Sequence, residues 1–351
     1  MAPRRQLVFA NSVDYARHTG GWVYNTRVMR ELAALGWDVV PLDLPAGFPR
    51  PDNRAKSHSA RLLASVPDGA LVVADQICLS PLENIAKREA DRLRLVMIFH
   101  HPIAKEEGMP TRRRLLFRHR ERRALAGCRL VVATSPSTAS TLAADYDVDP
   151  GRIVVARPGI ERFMPSAMKD ADVPRMLSVG AVIERKGYHF LVEALAGLRD
   201  AAWQLDIAGD LDRAPAYAEA LKARISAAGL DGRVVLRGGL DADSLKACWR
   251  AAHVYIAASL HEGYGMAVAE AIARGLPTVT TPAGAVGDWL DPDAAIIVPD
   301  DSPEMLRAAI ARVLDEPELR KRLRSAALEQ ASRFSSWADT AQAVHQRLAQ
   351  L

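Results

Sequence analysis

The segment Ser259-Leu260-His261-Glu262-Gly263-Tyr264-Gly265-Met266-Ala267-Val268-Ala269-Glu270 sets two carboxylates around a glycine-bearing loop. It follows a short aliphatic run, His253–Ala257, and leads into residues that read as a helix from about Met266. Gly263 and Gly265 let backbone N–H groups come close to a ligand. A helix starting there aims its unpaired N–H groups and the positive end of its dipole at the same loop, which makes an anion site. Carboxylates do not bind phosphate. Glu262 in the loop and Glu270 about one turn into the helix suit hydroxyl groups on either side of the phosphates. A ligand built that way is a nucleotide-sugar.

Elements that position this loop are legible on both sides of it. Short, nearly all-apolar runs recur at Gln6–Ala10, Asp38–Leu44, Ala70–Ala74, Arg94–Phe99, Arg129–Ala133 and Arg152–Ala156. A second series runs Arg175–Val179, Trp203–Ala208, Arg233–Arg237, His253–Ala257, Pro277–Thr281 and Ala295–Val298. Such runs suit strands buried on both faces of a parallel sheet. Helical spacing lies between them: Tyr24, Val28, Leu32 and Leu35 before Gly36, and Tyr217, Leu221, Ile225 and Ala228 before Gly229. Alternating strands and helices predict an α/β fold of two doubly wound sheets facing a cleft. A linker is expected over Arg157–Val173. Ligands in such sheets bind beyond the C-terminal strand ends. No GxGxxG or Walker A loop follows any strand, which counts against dehydrogenase and P-loop chemistry.

The Glu262–Glu270 spacing in EGYGM…AEAIARGLP resembles the signature of the retaining family-4 glycosyltransferases of GT-B fold. Further matches occur in the family's order: Gly20-Gly21, His100, Glu121 with Ala133–Ser135, Arg157–Phe163, Val179–Gly187 and Ala208–Asp210. The resemblance covers nearly the whole chain. It implies two Rossmann-like domains, an acceptor domain over 1–160 and a nucleotide-sugar domain over 161–336. The closing helix, 337–351, would cross back to the first. It also implies catalytic roles for His100, Lys186 and Glu262. Donor contacts would come from Gly20, Gly21, Lys186, Gly209, Asp210, Glu262, Gly263, Tyr264, Gly265, Met266 and Glu270. Lys186 matches the lysine that meets the donor diphosphate. The family often has arginine where this chain has Ala181, so Arg185 is the candidate replacement; alone, Glu184-Arg185-Lys186 reads as an exposed charged turn. His100 is favoured over His101 only by its place at the strand end.

The resemblance implies a metal-independent hexosyltransferase acting on a nucleotide-sugar, with UDP expected as the base carrier and no cofactor. The acceptor is left open between a small molecule and a lipid-linked one. A nucleotide-sugar 2-epimerase and a catalytically silent binding protein are the alternatives. No HExxH or other metal pattern stands out. With 351 residues, 49% apolar and 25% charged, the chain is an ordinary globular one of about two domains. Three scattered cysteines without CxxC suit reduced thiols, and no run is long enough to be a signal peptide or a membrane span, so a cytoplasmic protein is expected. The net charge of +4 is mild. One local exception, Arg112–Arg123, is strongly cationic. It is either a solvated helix face or a weak contact for anionic lipid, placing the protein at the inner face of a membrane. Basic residues are not interleaved with aromatics, which counts against nucleic acid.

Overall fold

Aliphatic runs with no polar face form strands here because helices cover both sides of the sheets they build. The structure is a computed structural model that describes residues 5–16, 19–105, 109–164, 173–299 and 302–351. The chain divides into two compact units, Met1–Gly159 with Ser335–Leu351, and Ile160–Phe334. Residues 1–4, and residues 165–172 of the expected linker, lie outside the described residues.

The first unit begins β1 (Gln6–Ser12), α1 (Gly20–Ala34), β2 (Asp38–Leu44), α2 (Asn53–Ala64), β3 (Leu71–Asp75), α3 (Gln76–Leu79) and α4 (Glu83–Glu89). It continues β4 (Arg94–Phe99), α5 (Thr111–Ala126), β5 (Leu130–Ala133), α6 (Pro136–Tyr146) and β6 (Ile153–Val155). The strands are parallel and ordered β2-β1-β3-β4-β5-β6. Strand order reverses between β1 and β3, so the loops after these strands open at the switch point, where ligands bind.

The second unit repeats the scheme with β7 (Arg175–Val179), α7 (Tyr188–Ala196), β8 (Gln204–Ala208), α8 (Pro215–Ala227), β9 (Val234–Gly238) and α9 (Ala242–Ala251). Then come β10 (Val254–Ala257), α10 (Met266–Ala273), β11 (Thr278–Thr280), β12 (Ile296–Ile297), α11 (Pro303–Asp315) and α12 (Pro317–Ala331). Its parallel order is β12-β11-β10-β7-β8-β9, with the switch between β7 and β10. Met176, Ile207 and Ile256 face one core, while Leu177, Ala208 and Tyr255 face the other. That two-sided burial is why the strands read as unbroken apolar runs. Each run named from the sequence overlaps one of the twelve strands of the described residues, with β1, β3 and β9 extending one or two residues beyond their runs.

The last helix, α13 (Trp337–Leu348), returns to the first unit. A reciprocal capping box between Ser336 and Asp339 starts it. Trp337 meets Tyr24 edge-on at 5.9 Å, Thr340 Oγ1 donates to the Arg157 carbonyl at 2.7 Å, and Trp37 Nε1 bonds His345 Nδ1 at 2.9 Å. A Cβ at Gly159 would strike the Trp337 backbone, so the chain leaves and re-enters this unit at adjoining points.

Candidate functional site

In the second unit, the loops after β7 and β10 face each other across the switch point. The β7 loop carries Arg185 and Lys186, and the β10 loop carries Ser259 and Glu262. Lys186 Nζ reaches Glu262 Oε1 at 2.6 Å, Ser259 Oγ donates to the same oxygen at 2.7 Å, and Arg185 Nη1 lies 3.3 Å from Oε2. Arg185 Nη1 also donates to the His261 carbonyl, and the Leu260 amide donates back to the Arg185 carbonyl at 2.8 Å. These three side chains are mostly buried, at 11–15% exposure. Within the Glu184-Arg185-Lys186 turn, only Glu184 is exposed, while Arg185 and Lys186 are drawn inward onto Glu262.

Two cations share one carboxylate, which leaves an excess positive charge. Burial would raise the Glu262 carboxyl, but the Lys186 and Arg185 charges and the hydrogen bonds from Lys186 and Ser259 outweigh it and hold the group well below the carboxylate range. Burial lowers Lys186, with Arg185 and Arg213 adding to the effect against the opposing pull of Glu262. The buried Arg185 Nε has no hydrogen-bond partner among the described residues. A buried, unpaired guanidinium N–H is costly unless an acceptor arrives.

The α10 end opens on the same pocket, which Lys186, Ser259, Glu262 and Gly265 line. Gly265 caps α10 with φ +86°, a left-handed conformation that favours glycine, and a Cβ there would meet Val286 Cγ2 at 2.5 Å. No side chain caps the first turn, so its N–H groups stay available. Gly263 and Tyr264 form the bend before it. Trp289 stacks on Tyr264 at 5.4 Å and donates from Nε1 to its carbonyl at 2.8 Å, fixing the bend. Met266 begins the helix. Glu270 pairs with Arg274 at 3.2 Å, one turn on, and is 30% exposed. Arg274 is in turn held over the rings of Phe163 and Trp249. Gly209 and Asp210 lie in the loop after β8, where the Gly209 amide donates to Gly238 and the Asp210 carbonyl accepts from Val182, each at 2.9 Å.

In the first unit, His100 follows β4 as expected. Its amide donates to Gln76 Oε1 at 2.7 Å, and its Nε2 lies 3.0 Å from Asp75 Oδ2. Gln76 also ties down the His101 backbone and bonds Glu121. Glu121 is fully buried, accepting from the Ile103 amide at 2.7 Å and from the Tyr146 hydroxyl at 2.9 Å. Gly20 and Gly21 do not precede α1 but form its first turn, because Thr19 accepts from the Trp22 amide and caps one residue earlier. Sequence reasoning missed Asp75, Asn25, Gln76, Ser259, Arg274 and Trp289. Ser259 alone carried a signal, three residues from Glu262.

The arginine run is helix α5. Its buried stripe is Phe117, Glu121, Ala124 and Leu125, while Leu115 and Leu116 are 61% and 44% exposed. Arg118, Arg122 and Arg123 bond Asp145, Asp147 and Asn84, and Arg120 lies 3.8 Å from Glu83. Arg112, Arg113 and Arg114 stand exposed beside the two leucines. No helix among the described residues is long and apolar enough to cross a membrane.

Residues 160–330 match the family described as Glycosyl transferases group 1, and residues 71–162 match Glycosyltransferase Family 4. The chain is 28% identical to an MMP alpha-(1->4)-mannosyltransferase of Mycolicibacterium hassiacum, over 84% of this chain and 74% of that protein. It is 29% identical to a D-inositol 3-phosphate glycosyltransferase of Arthrobacter sp., over 74% of this chain and 66% of the relative. Among solved structures, it superposes on the sucrose-phosphate synthase of Thermosynechococcus elongatus with a TM-score of 0.83 at 19% identity, covering 99% of each chain. Anabaena HepE, solved with UDP and glucose, gives 0.80 at 15% identity, covering 99% of this chain and 100% of the other. With family matches running from residue 71 to 330 and this double sheet common to its neighbours, the chain belongs to the family-4 glycosyltransferases of GT-B fold.

Proposed function

We propose that the chain transfers a hexose, with retention, from a UDP-sugar bound by the second unit to an acceptor bound by the first. The Lys186–Glu262–Arg185 cluster beside the α10 N-terminus carries this reading, since it joins a fixed positive charge to a carboxylate able to take hydroxyls. The hard step is departure of the nucleoside diphosphate. Lys186, the unpartnered Arg185 Nε and the first α10 amides stabilise the charge that builds on it. Once the diphosphate takes Lys186, Glu262 is released to orient sugar hydroxyls, and Glu270 holds the ribose. The anomeric carbon–oxygen bond to diphosphate breaks as the bond to the acceptor oxygen forms on the same face. The acceptor's proton passes to the departing phosphate oxygen. Arg185 takes the place left open by Ala181, and HepE's capture with UDP supports the choice of base.

Thermal shifts with UDP-glucose, UDP-N-acetylglucosamine, GDP-mannose and ADP-glucose test the donor. A bound donor at 100 times its Kd stabilises by about 2.7 kcal/mol. UDP-sugars are expected to shift Tm most, with and without EDTA. No shift from any of the four removes the donor reading, and a shift abolished by EDTA and restored by Mg²⁺ removes its metal independence.

Glu270→Ala is expected to raise donor KM by about 10–100-fold, the loss of a charged hydrogen bond, with kcat little changed. The ribose does not change in the transition state, so the contact is uniform binding. An unchanged KM with a much lower kcat contradicts the role.

The same proposal extends to a peripheral contact of a cytoplasmic protein with anionic lipid through the α5 start. Arginines near such a surface contribute about 1 kcal/mol each. Of the arginines in this run, Arg112–Arg114 are exposed and make no ion pair among the described residues, and Leu115 and Leu116 add an apolar tip. Pelleting with anionic vesicles is expected at low salt, weakened but not abolished by high salt, and reduced by Leu115→Ser with Leu116→Ser. No pelleting at low salt makes α5 a solvated face.

A further inference from the structure

Asp75 ends β3 at the switch point of the first unit and is fully buried. Its Oδ1 accepts the Ile77 amide at 2.8 Å. Its Oδ2 accepts Asn25 Nδ2 at 2.6 Å and lies 3.0 Å from His100 Nε2. Asn25 comes from the second turn of α1, so three elements meet on one carboxylate. An ionised carboxylate only accepts hydrogen bonds. The facing nitrogen of His100 must therefore carry the proton, which leaves Nδ1 with its lone pair in the neutral ring. Nδ1 makes no hydrogen bond among the described residues, and the His100 side chain keeps 14% exposure. The ring cannot easily turn. Tyr24 packs edge-on against it at 5.3 Å, the Tyr24 hydroxyl is anchored on the Ala156 carbonyl at 2.8 Å, and the His100 carbonyl accepts from Thr134 at 3.1 Å.

We propose that Asp75 is a positioning residue that locks His100 in the Nε2–H tautomer, so that His100 accepts a hydrogen bond from a substrate hydroxyl through Nδ1 rather than donating one. This rests on the catalytic role that the family resemblance implies for His100. Asp75 itself is too deeply buried to touch a ligand. Its substitution by asparagine presents an N–H₂ group to two neighbours that are themselves donors. The ring then gains by moving its proton to Nδ1, which turns an acceptor toward the substrate into a donor.

The experiment is long-range ¹H–¹⁵N correlation on the imidazole-labelled full chain, at a pH above imidazole titration, with His100 assigned by its absence in His100→Gln. The wild type is expected to show Nε2–H, and Asp75→Asn to show Nδ1–H. Turnover is followed as nucleoside diphosphate release from the sugar nucleotide giving the largest thermal shift. Asp75→Asn is expected to lose about 10–100-fold in kcat/KM, the cost of one mismatched buried hydrogen bond, while the thermal shift by UDP alone stays unchanged. An Nδ1–H wild type overturns the proposal, as does an Asp75→Asn variant with unaltered kcat/KM. The wild-type spectrum decides the tautomer even if the variant folds poorly. Full activity in His100→Gln with an Nε2–H wild type instead removes the underlying role of His100.

Discussion

Lys186→Ala is expected to lower kcat by about 10²–10³-fold, the scale of losing one group placed on charge that develops in the transition state. Lys186 sits 2.6 Å from Glu262 in a site that excludes most water, so its charge acts with little screening. Donor KM should move less, because the diphosphate carries less charge before the bond breaks. Near-normal kcat would take Lys186 out of the mechanism and give its role to Arg185. The lowered pKa of Lys186 sets a second mark. In the free protein the lysine loses its proton below the ordinary lysine range of about 10.4. kcat/KM should therefore fall on the alkaline side earlier than an exposed lysine would dictate, and this limb should vanish in Lys186→Ala.

Glu262→Ala should cost more in stability than in donor affinity. Removing one partner of a buried ion pair costs about 3–5 kcal/mol, or about 6–20 °C in Tm for a unit of this size. The cause is two buried cations left facing each other. Pyrophosphate or UDP should then raise Tm more in the variant than in the wild type, because the anion fills the place of the lost carboxylate. An unliganded Tm within about 1 °C of wild type would show the cluster to be too well solvated for this account. The acid limb gives the sign. Glu262 is held below its unfolded value, so its stabilisation is fully present above about pH 4.3 and is lost as pH falls toward the folded value. Glu262→Ala should flatten that part of the stability curve.

The sheets were legible because doubly buried strands carry an apolar side chain at nearly every position. Even β12, two residues long, sat inside a visible run. The α10 site was legible because glycine, glutamate and helix start are neighbours in the chain. What escaped was pairing over distance. Glu262 and Lys186 were each identified from the sequence, but nothing local says that they bond each other across 76 positions. Asp75 closes β3 and caps α3, which Gln76 begins, so both look like ordinary local residues; their side-chain partners Asn25 and His100 lie 24–50 residues away. α5 resisted for another reason. Its inward stripe runs through Glu121, so hydrophobic periodicity is interrupted by an acid, and the sequence does not tell which leucines are covered.

The adjoining exit and return at Gly159 and Trp337 make the second unit an insertion in the first. During synthesis at about 5–20 residues per second, roughly 10–35 s separate the emergence of Gly159 from that of α13. The inserted unit has all its strands by then and is free to fold ahead of its host. The host meanwhile leaves Tyr24 and Trp37 without the helix that covers them, so two large apolar rings stay open to association until α13 is made. It also follows that residues 160–334 can be excised as one piece, with Gly159 joined to Ser335, without stretching the chain that remains.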